Sequence, residues 1–370
     1  MIEGPRGTRL EERESLREVV DTVFRISVMD EYPQLFRDGN LENCRVILGG
    51  GRIISHVGLT QQQASIFGCT VGVGCIGAVA TYEGHRRKGY ATKLFDDASA
   101  KCYADNIDFI IVSGDRGLYR RPGCRQVGLD YQATIPVAEA EKFDAGMSIV
   151  PGTEADIPTI SAIYRNEALR FLRPREVYEH AFTSVAMNRL SGFWLIKKKN
   201  AVRGYVVVSG RGTAIRLAEY AGERLSILGA LAQISRQYDC QNVSLHIRGS
   251  DRLMRDLLSE GGVQLQTAHA SGTVQIVNFP QLMDRMRPHF EEILGAAAAS
   301  HLQFTADDGA YQIRCGSDQI AIPDRGELAH LIFGTREEVA ADRLAGGGTT
   351  AALMRHVLPI PALFPGLNHV

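Results

Sequence analysis

Hydrophobic positions in the first third of the chain change from an alternating spacing to a helical one more than once. The elements that this pattern predicts are a helix at 8–28, a hairpin at 46–54 around three glycines, a strand at 75–81, a helix at 90–105 and a strand at 108–113. A strand, a loop, a helix and a second strand in this order are typical of a βαβ unit. The pattern therefore favours an α/β fold for this part of the protein.

The same order of elements returns after residue 145. The predicted elements are a helix around 157–164, a hairpin at 193–209, a strand at 215–221, a helix at 223–238 and a strand at 242–247. Little residue-level identity accompanies the similarity, so it indicates a duplicated structure. The last hundred residues differ, with a helix at 279–294, strands at 302–305, 311–315 and 319–322, and a helix at 325–332. We expect a small α+β arrangement there.

The C-terminal tail, residues 358–370, is apolar and contains three prolines. Prolines exclude a regular helix, and an apolar segment has to be covered. We therefore expect the tail to lie extended in a groove of the protein. Together the patterns predict three domains, at 1–145, 146–272 and 273–370.

Composition limits the classes of function. The 370 residues carry a formal net charge of −1, which provides no basic field for nucleic acid. No apolar run approaches the roughly 20 residues of a membrane span, and we expect no secretory signal. Seven widely spaced cysteines include no Cys-x-x-Cys pair. We therefore expect packed thiols, no metal site and a reducing, cytoplasmic location.

A basic turn at 83–92 carries the strongest chemical signal. A predicted strand ends there, a glycine-containing turn follows, and an amphipathic helix begins. This order gathers free backbone N–H groups, the helix dipole and the side chains of Arg86, Arg87 and Lys88, a combination that suits a diphosphate. Gly89 would let the backbone approach the ligand closely. The alternative is a solvated basic turn on the surface.

The surrounding sequence resembles the Gcn5-related N-acetyltransferase (GNAT) superfamily. The Arg/Gln-x-x-Gly-x-Gly/Ala signature of that family is met by Arg86, Gly89 and Ala91. Its downstream Leu-Tyr-x-x-x-Gly-Phe pattern is met by Tyr119 and Gly123, although a cysteine replaces the aromatic residue. One helix and one strand separate the two parts, as that fold requires.

This resemblance implies a site for acetyl-coenzyme A as co-substrate. The strand end would pair with the pantetheine arm, the basic turn would hold the pyrophosphate, and the residues after the next strand would line the thioester. The residues expected to bind coenzyme A are Val79, Ala80, Thr81, Arg86, Arg87, Lys88, Gly89, Tyr90, Ala91, Thr92, Gly114 and Asp115.

By the same resemblance, Tyr119 is the general acid that protonates the departing coenzyme A thiolate. A phenol with a pKa near 10 stays protonated at neutral pH and can still donate to a thiolate. Core packing is the alternative for a lone tyrosine. Direct transfer needs no covalent enzyme intermediate, so Cys75 and Cys124 are not expected to be nucleophiles.

Over its whole length the sequence resembles the enhanced intracellular survival family, in which tandem acetyltransferase domains with mixed sheets precede a small sterol-carrier-like α+β domain. The second copy in that family lacks the cofactor turn. Here residues 215–226 contain no such signature, and Glu219 and Glu223 would repel a diphosphate. The family also uses its C-terminal carboxylate as the base, which implies that role for Val370. A tail that merely docks between domains is the alternative.

Other ionisable residues are weaker candidates for the base. They are Asp30, Glu31, His56, Glu83 and His85, and the charge of Asp30 and Glu31 could instead recruit an ammonium substrate. A histidine on a strand, such as His56, is more often structural, and acidic residues are exposed by default.

The resulting prediction is an N-acetyltransferase that moves an acetyl group from acetyl-coenzyme A to a primary amine within a ternary complex. We expect a small-molecule or peptide amine as the acceptor, with neither nucleic acid nor a membrane as partner, and we leave a homo-oligomer open. The rival is a non-catalytic protein that binds acyl-coenzyme A or lipid through its third domain.

Overall fold

The computed structural model describes residues 1–183, 192–210, 212–270, 272–307, 309–337, 339 and 344–369. The chain divides into two compact units. Unit 1 consists of Met1–Gly128, Ala270–Ala362 and His369–Val370, and unit 2 consists of Leu129–His269 and Leu363–Asn368. None of the described helices is long and apolar enough to cross a membrane.

The secondary structure follows in chain order. The strands are β1 (Ile2–Gly7), β2 (Cys44–Gly49), β3 (Arg52–Ile66), β4 (Cys69–Thr81), β5 (Phe109–Val112), β6 (Asp130–Pro136), β7 (Ser148–Pro151), β8 (Leu169–Phe171), β9 (Gly192–Lys198), β10 (Ala201–Ser209), β11 (Ala214–Gly222), β12 (Asn242–Ile247), β13 (Gln266–Ala268), β14 (Thr273–Ile276), β15 (Leu302–Asp307), β16 (Ala310–Cys315) and β17 (Asp318–Ile322). The α-helices are α1 (Arg13–Phe24), α2 (Val28–Glu31), α3 (Pro33–Phe36), α4 (Tyr90–Ala104), α5 (Gly117–Arg120), α6 (Val137–Ala140), α7 (Ile157–Tyr164), α8 (Arg175–Thr183), α9 (Arg224–Gln237), α10 (Arg252–Glu260), α11 (Phe279–Arg285), α12 (Arg287–Leu294), α13 (Ala296–Ser300), α14 (Arg325–Phe333) and α15 (Thr349–Val357).

The main sheet of unit 1 has the strand order β1-β2-β3-β4-β5-β14. β4 and β5 run parallel, and α4 makes the connection between them, as in a βαβ unit. The face of α4 that carries Leu94, Phe95, Ala98 and Cys102 is buried against the sheet, as the helical spacing predicts.

Unit 2 contains a sheet of order β13-β6-β12-β11-β10-β9-β7. Its β11 and β12 are parallel, its β9 and β10 form an antiparallel hairpin, and α9 connects β11 to β12. Ile227, Leu228 and Leu231 of α9 belong to its core. These features repeat those of the first sheet, so the predicted duplication is confirmed, as is the mixed α/β class.

The C-terminal segment of unit 1 forms the predicted α+β arrangement. The small antiparallel sheet has the order β15-β16-β17. Phe279 of α11 packs edge-on against Phe304 and Tyr311 of this sheet. The segment also contributes β14, which pairs antiparallel with β5.

Helix and strand ends differ from the predicted ones for identifiable reasons. α1 ends at Phe24 because Arg25 adopts a left-handed conformation with a φ of 59°. The predicted helix at 279–294 is two helices, and Pro288, which lacks an N–H, lies in the first turn of the second. β4 begins at Cys69 rather than at residue 75, since it forms a long hairpin with β3.

The sheets also divide the chain differently from the predicted domains. Residues 130–136 precede the predicted boundary at 145, yet as β6 they pair with β12 in unit 2. Residues 363–368 of the tail belong to unit 2, although the third predicted domain includes them. Pairing between segments that are distant in the sequence determines both assignments, and the local spacing of hydrophobic residues contains no information about that pairing.

Candidate functional site

An open strand edge lies at the centre of the predicted site. β4 pairs with β5 from Val73 to Ile76, and the Ser113 N–H donates to the Ile76 carbonyl at 3.2 Å. Beyond this point β4 continues to Thr81 with β3 as its partner, and the described residues include no further pairing with β5. The edge at 77–81 contains the three residues predicted to pair with the pantetheine arm. Its free backbone groups can accept an extended ligand.

A β-bulge interrupts β4 within this edge. The register with β3 shifts between the pairs His56–Ala80 and Gly58–Gly77. Inside the shift, Ala78 has a φ of 49°, in the left-handed region that residues other than glycine rarely adopt. His56 Nδ1 lies 2.9 Å from the Ala78 carbonyl oxygen, and because a carbonyl only accepts, the imidazole is the donor.

The basic turn connects β4 to a helix start that no side chain caps. Arg87 and Gly89 both have left-handed φ values, of 62° and 79°, and Gly89 is the N-cap residue of α4. The first-turn N–H groups, beginning at Tyr90, have no acceptor within the helix. Arg86, Arg87 and Lys88 are exposed. Backbone donors and positive charge therefore meet at this turn, as an anion site requires.

Tyr119 lies on α5, shortly after β5, and is 6% exposed. A Cβ on Gly114 would lie 3.3 Å from Tyr119 Cε2, so the absence of a side chain at Gly114 makes room for the ring. The ring also packs against Phe95 of α4, with the centroids 5.8 Å apart. Burial raises the pKa of the Tyr119 hydroxyl. The phenol therefore stays protonated at neutral pH, as a general acid must.

Two other predicted residues have side chains that are already engaged. Asp115 is paired with Arg120, whose Nε donates to it at 2.6 Å, and this bond holds the pKa of the Asp115 carboxyl below its usual value. Arg86 Nε donates to the Thr81 carbonyl at 3.2 Å. Arg86 thus ties the basic turn to the end of β4.

The cysteines near the site are poor nucleophiles. Cys75 and Cys124 are buried, and burial raises the pKa of each thiol to about 12. All seven cysteines are free thiols. In the part of the chain that the structure describes, no three His, Cys, Asp or Glu side chains group as a metal site would require.

The weaker base candidates are in different environments. Glu83 is exposed in a 3₁₀ turn, and His85 is partly buried with its ring 6.4 Å from that of Tyr90. Asp30 lies 3.4 Å from Arg17 at the surface. Glu31 is only 7% exposed, so the expectation of a solvated carboxylate is wrong for this residue.

The corresponding cleft in unit 2 holds the tail. β11 and β12 pair as far as Leu217, and the register of β11 with β10 shifts at Ala218, as it does at the bulge of β4. Glu219 follows, and its carboxylate accepts the N–H of Leu367 at 3.0 Å. β11 ends at Gly222 and α9 begins two residues later, so no turn comparable to 83–89 is present.

Charge compensation and packing fill this second cleft. Although burial opposes it, the ion pair with Arg173 at 2.6 Å holds the pKa of Glu219 below its usual value. Glu219 therefore does not act as the uncompensated, repelling charge that the sequence suggests, because Arg173 compensates it. Arg173 also donates to the Asn368 side chain at 2.6 Å, and Phe364 stacks on His246 at 4.3 Å. The remaining cavity measures about 30 Å³, room for about two water molecules.

The end of the tail returns to unit 1. The His369 carbonyl accepts a hydrogen bond from Gln34 at 3.2 Å, and its ring lies 6.2 Å from that of Tyr32. Leu363 and Asn368 are buried, which confirms that the tail is covered. Val370, predicted to supply the base, lies outside the described residues.

Sequence reasoning missed two residues that shape these clefts. Ala78 is a small residue within an apolar strand, and no local signal marks it as a bulge. Arg173 lies in a charged stretch that is typical of a solvated surface. In the structure each is identified by an unusually buried partner, which is His56 for Ala78 and Glu219 for Arg173, and not by a sequence motif.

Comparison with known proteins agrees with this geometry. Residues 5–127 match the acetyltransferase (GNAT) domain family. A probable N-acyltransferase from Enterococcus faecalis is 15% identical, with a TM-score of 0.69 over 98% of this chain and 99% of that one. A GCN5-related N-acetyltransferase from Kribbella flavida is 12% identical, with a TM-score of 0.69 over 100% of both chains. Eis1 from Mycobacterium abscessus is 13% identical, with a TM-score of 0.63 over 98% of both.

Among curated proteins, no sequence matches this one. At identities this low the solved structures establish the fold, and the family match establishes the nature of the first domain. Acyl transfer from an acyl-coenzyme A is the chemistry of that domain family. Residues 5–127 therefore form an acetyltransferase (GNAT) domain, and the fold of the whole chain resembles that of Eis1.

Proposed function

We propose that unit 1 transfers an acetyl group from acetyl-coenzyme A to a primary amine. The observation that carries the proposal is the open, bulged edge of β4 between an uncapped helix start and a buried tyrosine. These are the three parts that an extended thioester with a diphosphate needs. Residues 79–81 would bind the pantetheine amides, and residues 86–92 would bind the pyrophosphate. Gly114 and Asp115 would line the thioester end with their backbone.

The chain's own residues supply two of the steps. Backbone N–H groups at the bulge would stabilise the oxyanion that forms when the amine attacks the thioester carbonyl. Tyr119 would then donate its proton to the sulfur as the C–S bond breaks. The buried thiols of Cys75 and Cys124 support direct transfer, because neither is available as a thiolate. Both reactants are held in one complex, which lowers the entropic barrier.

The base in this proposal is the terminal carboxylate of Val370. Its support is the path of the tail, which is fastened in unit 2 as far as Asn368 and then enters unit 1 at His369. An anchored, proline-stiffened tail loses little further entropy when its last residue is ordered. The carboxylate would take the proton from the acceptor ammonium before attack.

The acceptor is proposed as a small-molecule or peptide amine. Asp30 and Glu31, on α2 of unit 1, provide negative charge that suits an ammonium. The formal charge of −1 favours neither nucleic acid nor an anionic membrane as partner. The seven free thiols support a cytoplasmic location. A division into three domains, with the boundaries moved as the strand pairing requires, a sterol-carrier-like third domain and a homo-oligomer are also part of the proposal.

The decisive experiment measures thiol release from acetyl-coenzyme A with a pooled library of primary amines. Turnover that depends on an amine supports transfer, whereas binding of acetyl-coenzyme A without turnover for any amine supports the rival carrier protein. Tyr119→Phe should lower kcat about 100-fold or more, in the range for a lost general acid, and leave the affinity for acetyl-coenzyme A unchanged. Tyr103→Phe is the matched control, because Tyr103 is 60% exposed on the far end of α4. An unchanged kcat in Tyr119→Phe would remove this residue from the mechanism.

A further inference from the structure

His56 is a fully buried imidazole with one hydrogen bond. Its relative exposure is 0%, and Nδ1 donates to the Ala78 carbonyl at 2.9 Å. The other ring nitrogen, Nε2, is buried and has no hydrogen-bond partner. Phe36 packs beside the ring, with the centroids 5.7 Å apart. An aliphatic side chain would fill this place without leaving a buried polar atom unpaired, so packing alone does not explain a histidine here.

The hydrogen bond acts on the one residue of β4 with a left-handed backbone. At a φ of 49°, Ala78 is in a conformation that a strand does not otherwise adopt, and it persists only if its surroundings hold it. The Ala78 carbonyl is turned out of the ladder and is bound by a side chain of β3 instead of its backbone. His56 therefore stabilises the rotated peptide directly.

The rotated peptide controls the direction of the amides that follow. The Tyr82 N–H donates to the Ile54 carbonyl of β3 at 3.1 Å. Backbone groups alternate along a strand, so the amides of Val79 and Thr81 point to the opposite side, where β5 has already ended. Relaxing Ala78 to an ordinary strand conformation would shift this alternation by one residue.

Unit 2 supplies an internal comparison. Its β11 has a register shift at the same place, around Ala218, but no left-handed φ occurs there. The residue of β10 that pairs just beyond the shift is Val207, the counterpart of His56. The donor and the strained peptide thus occur together in the copy that has a cofactor turn, and both are missing from the copy whose cleft holds the tail.

We propose that His56 is a positioning residue, which holds the Ala78 peptide so that the amides of the bulge face the thioester carbonyl. This inference rests on the proposed function for its kinetic consequence, but the backbone effect stands without it. Burial lowers the pKa of the imidazole to about 4, so at neutral pH the ring keeps its single proton on Nδ1. The same low pKa makes it a weak base, which separates this role from that of a proton acceptor.

The test compares two substitutions at one position in the full-length chain. His56→Leu keeps the volume and removes the donor, whereas in His56→Asn the side-chain amide nitrogen takes the place of Nδ1. In His56→Leu we expect kcat to fall about 30-fold, with the KM for acetyl-coenzyme A changed less than about threefold. In His56→Asn we expect kcat to recover to within about threefold of the wild-type value. Equal activity of His56→Leu and wild type overturns the proposal. Equal loss in both variants also overturns it, since that result indicates packing.

A second measurement keeps the inference separate from the proposed function. Hydrogen exchange of the amides at 78–82 reports the bulge whether or not any amine is acetylated. We expect at least tenfold faster exchange in His56→Leu and wild-type rates in His56→Asn; unchanged exchange in His56→Leu overturns the proposal. If His56→Leu does not fold, Ala78→Gly provides a background in which the left-handed φ carries no strain. There the loss caused by His56→Leu should shrink, and a fully additive loss contradicts the proposal.

Discussion

Lowering the pH should weaken unit 1 through the protonation of His56. The side chain is fully buried, and burial lowers its pKa to about 4, against roughly 6.5 in the unfolded chain. Between these two values the unfolded chain binds a proton that the folded unit does not. The free energy of unfolding therefore falls as the pH drops through this window. Above pH 6.5 the imidazole is neutral in both states and contributes no pH dependence.

The magnitude follows from the difference between the two pKa values. Each pKa unit corresponds to about 1.4 kcal/mol, so the full penalty, reached below pH 4, is about 3.4 kcal/mol. At pH 5.5 one unit of the difference has been crossed, and the unit should be about 1.4 kcal/mol less stable than at pH 7.5. A loss of this size is measurable against a typical total of 5–15 kcal/mol.

Hydrogen exchange of a peptide spanning 52–81 is the suitable assay, because it reports β3 and β4 within the intact chain and does not assume two-state unfolding. Protection, corrected for the intrinsic pH dependence of exchange, is compared at pH 7.5 and 5.5 in wild type and in His56→Asn. All other titrating groups are common to the two proteins, so the difference in slope belongs to His56. We expect about 1.4 kcal/mol less pH-dependent loss in the variant. Parallel slopes for the two proteins would refute the reasoning.

Three further changes probe the turn and the tail. Gly89→Ala should weaken acetyl-coenzyme A binding about fivefold in calorimetry, because a residue with a Cβ pays about 1 kcal/mol for a left-handed φ. Gly84→Ala is the control and should bind normally, because Gly84 has no left-handed φ and its position is equally open. Leu367→Pro removes the N–H bound to the buried carboxylate of β11 and should expose the tail to limited proteolysis, while Leu367→Ala keeps that N–H and its protection. Deleting Val370, or extending the chain beyond it, should lower turnover at least tenfold without weakening acetyl-coenzyme A binding; a fully active extended chain excludes its carboxylate as the base.

Local sequence predicted those parts of the fold that depend on periodicity and turn chemistry. The face of α4 follows from apolar residues three and four apart, and the hairpin between β2 and β3 from glycines at its turn. The basic turn was predictable as well, because a strand end, a glycine and a helix start are adjacent in the chain. Gly89 has a left-handed φ, which a glycine adopts without strain.

Features that depend on distant pairing were not predictable. β6 is not among the predicted elements, and only its register with β12 shows that it belongs to the sheet of unit 2. The sequence places Glu219 near the position where a cofactor turn would lie, which suggests a charge that repels a diphosphate. The actual environment of its carboxylate is set by Arg173, 46 residues away in the chain. From the sequence, a histidine on a strand is most simply explained as structural. The left-handed φ of Ala78, which the His56 hydrogen bond stabilises, is visible only in the three-dimensional structure.

The two clefts illustrate what a duplicated bulged sheet requires of each copy. A strand edge that ends its pairing early leaves backbone groups without partners, and these have to be satisfied by ligand, water or protein. In unit 1 the basic turn provides a reason to keep the edge at 77–81 open for a ligand. In unit 2 the connection from β11 to α9 is too short for such a turn, and the tail occupies the cleft, with the Leu367 N–H on Glu219 and the Phe364 ring on His246. The apolar, proline-rich composition of the tail is thus explained by the cleft it fills.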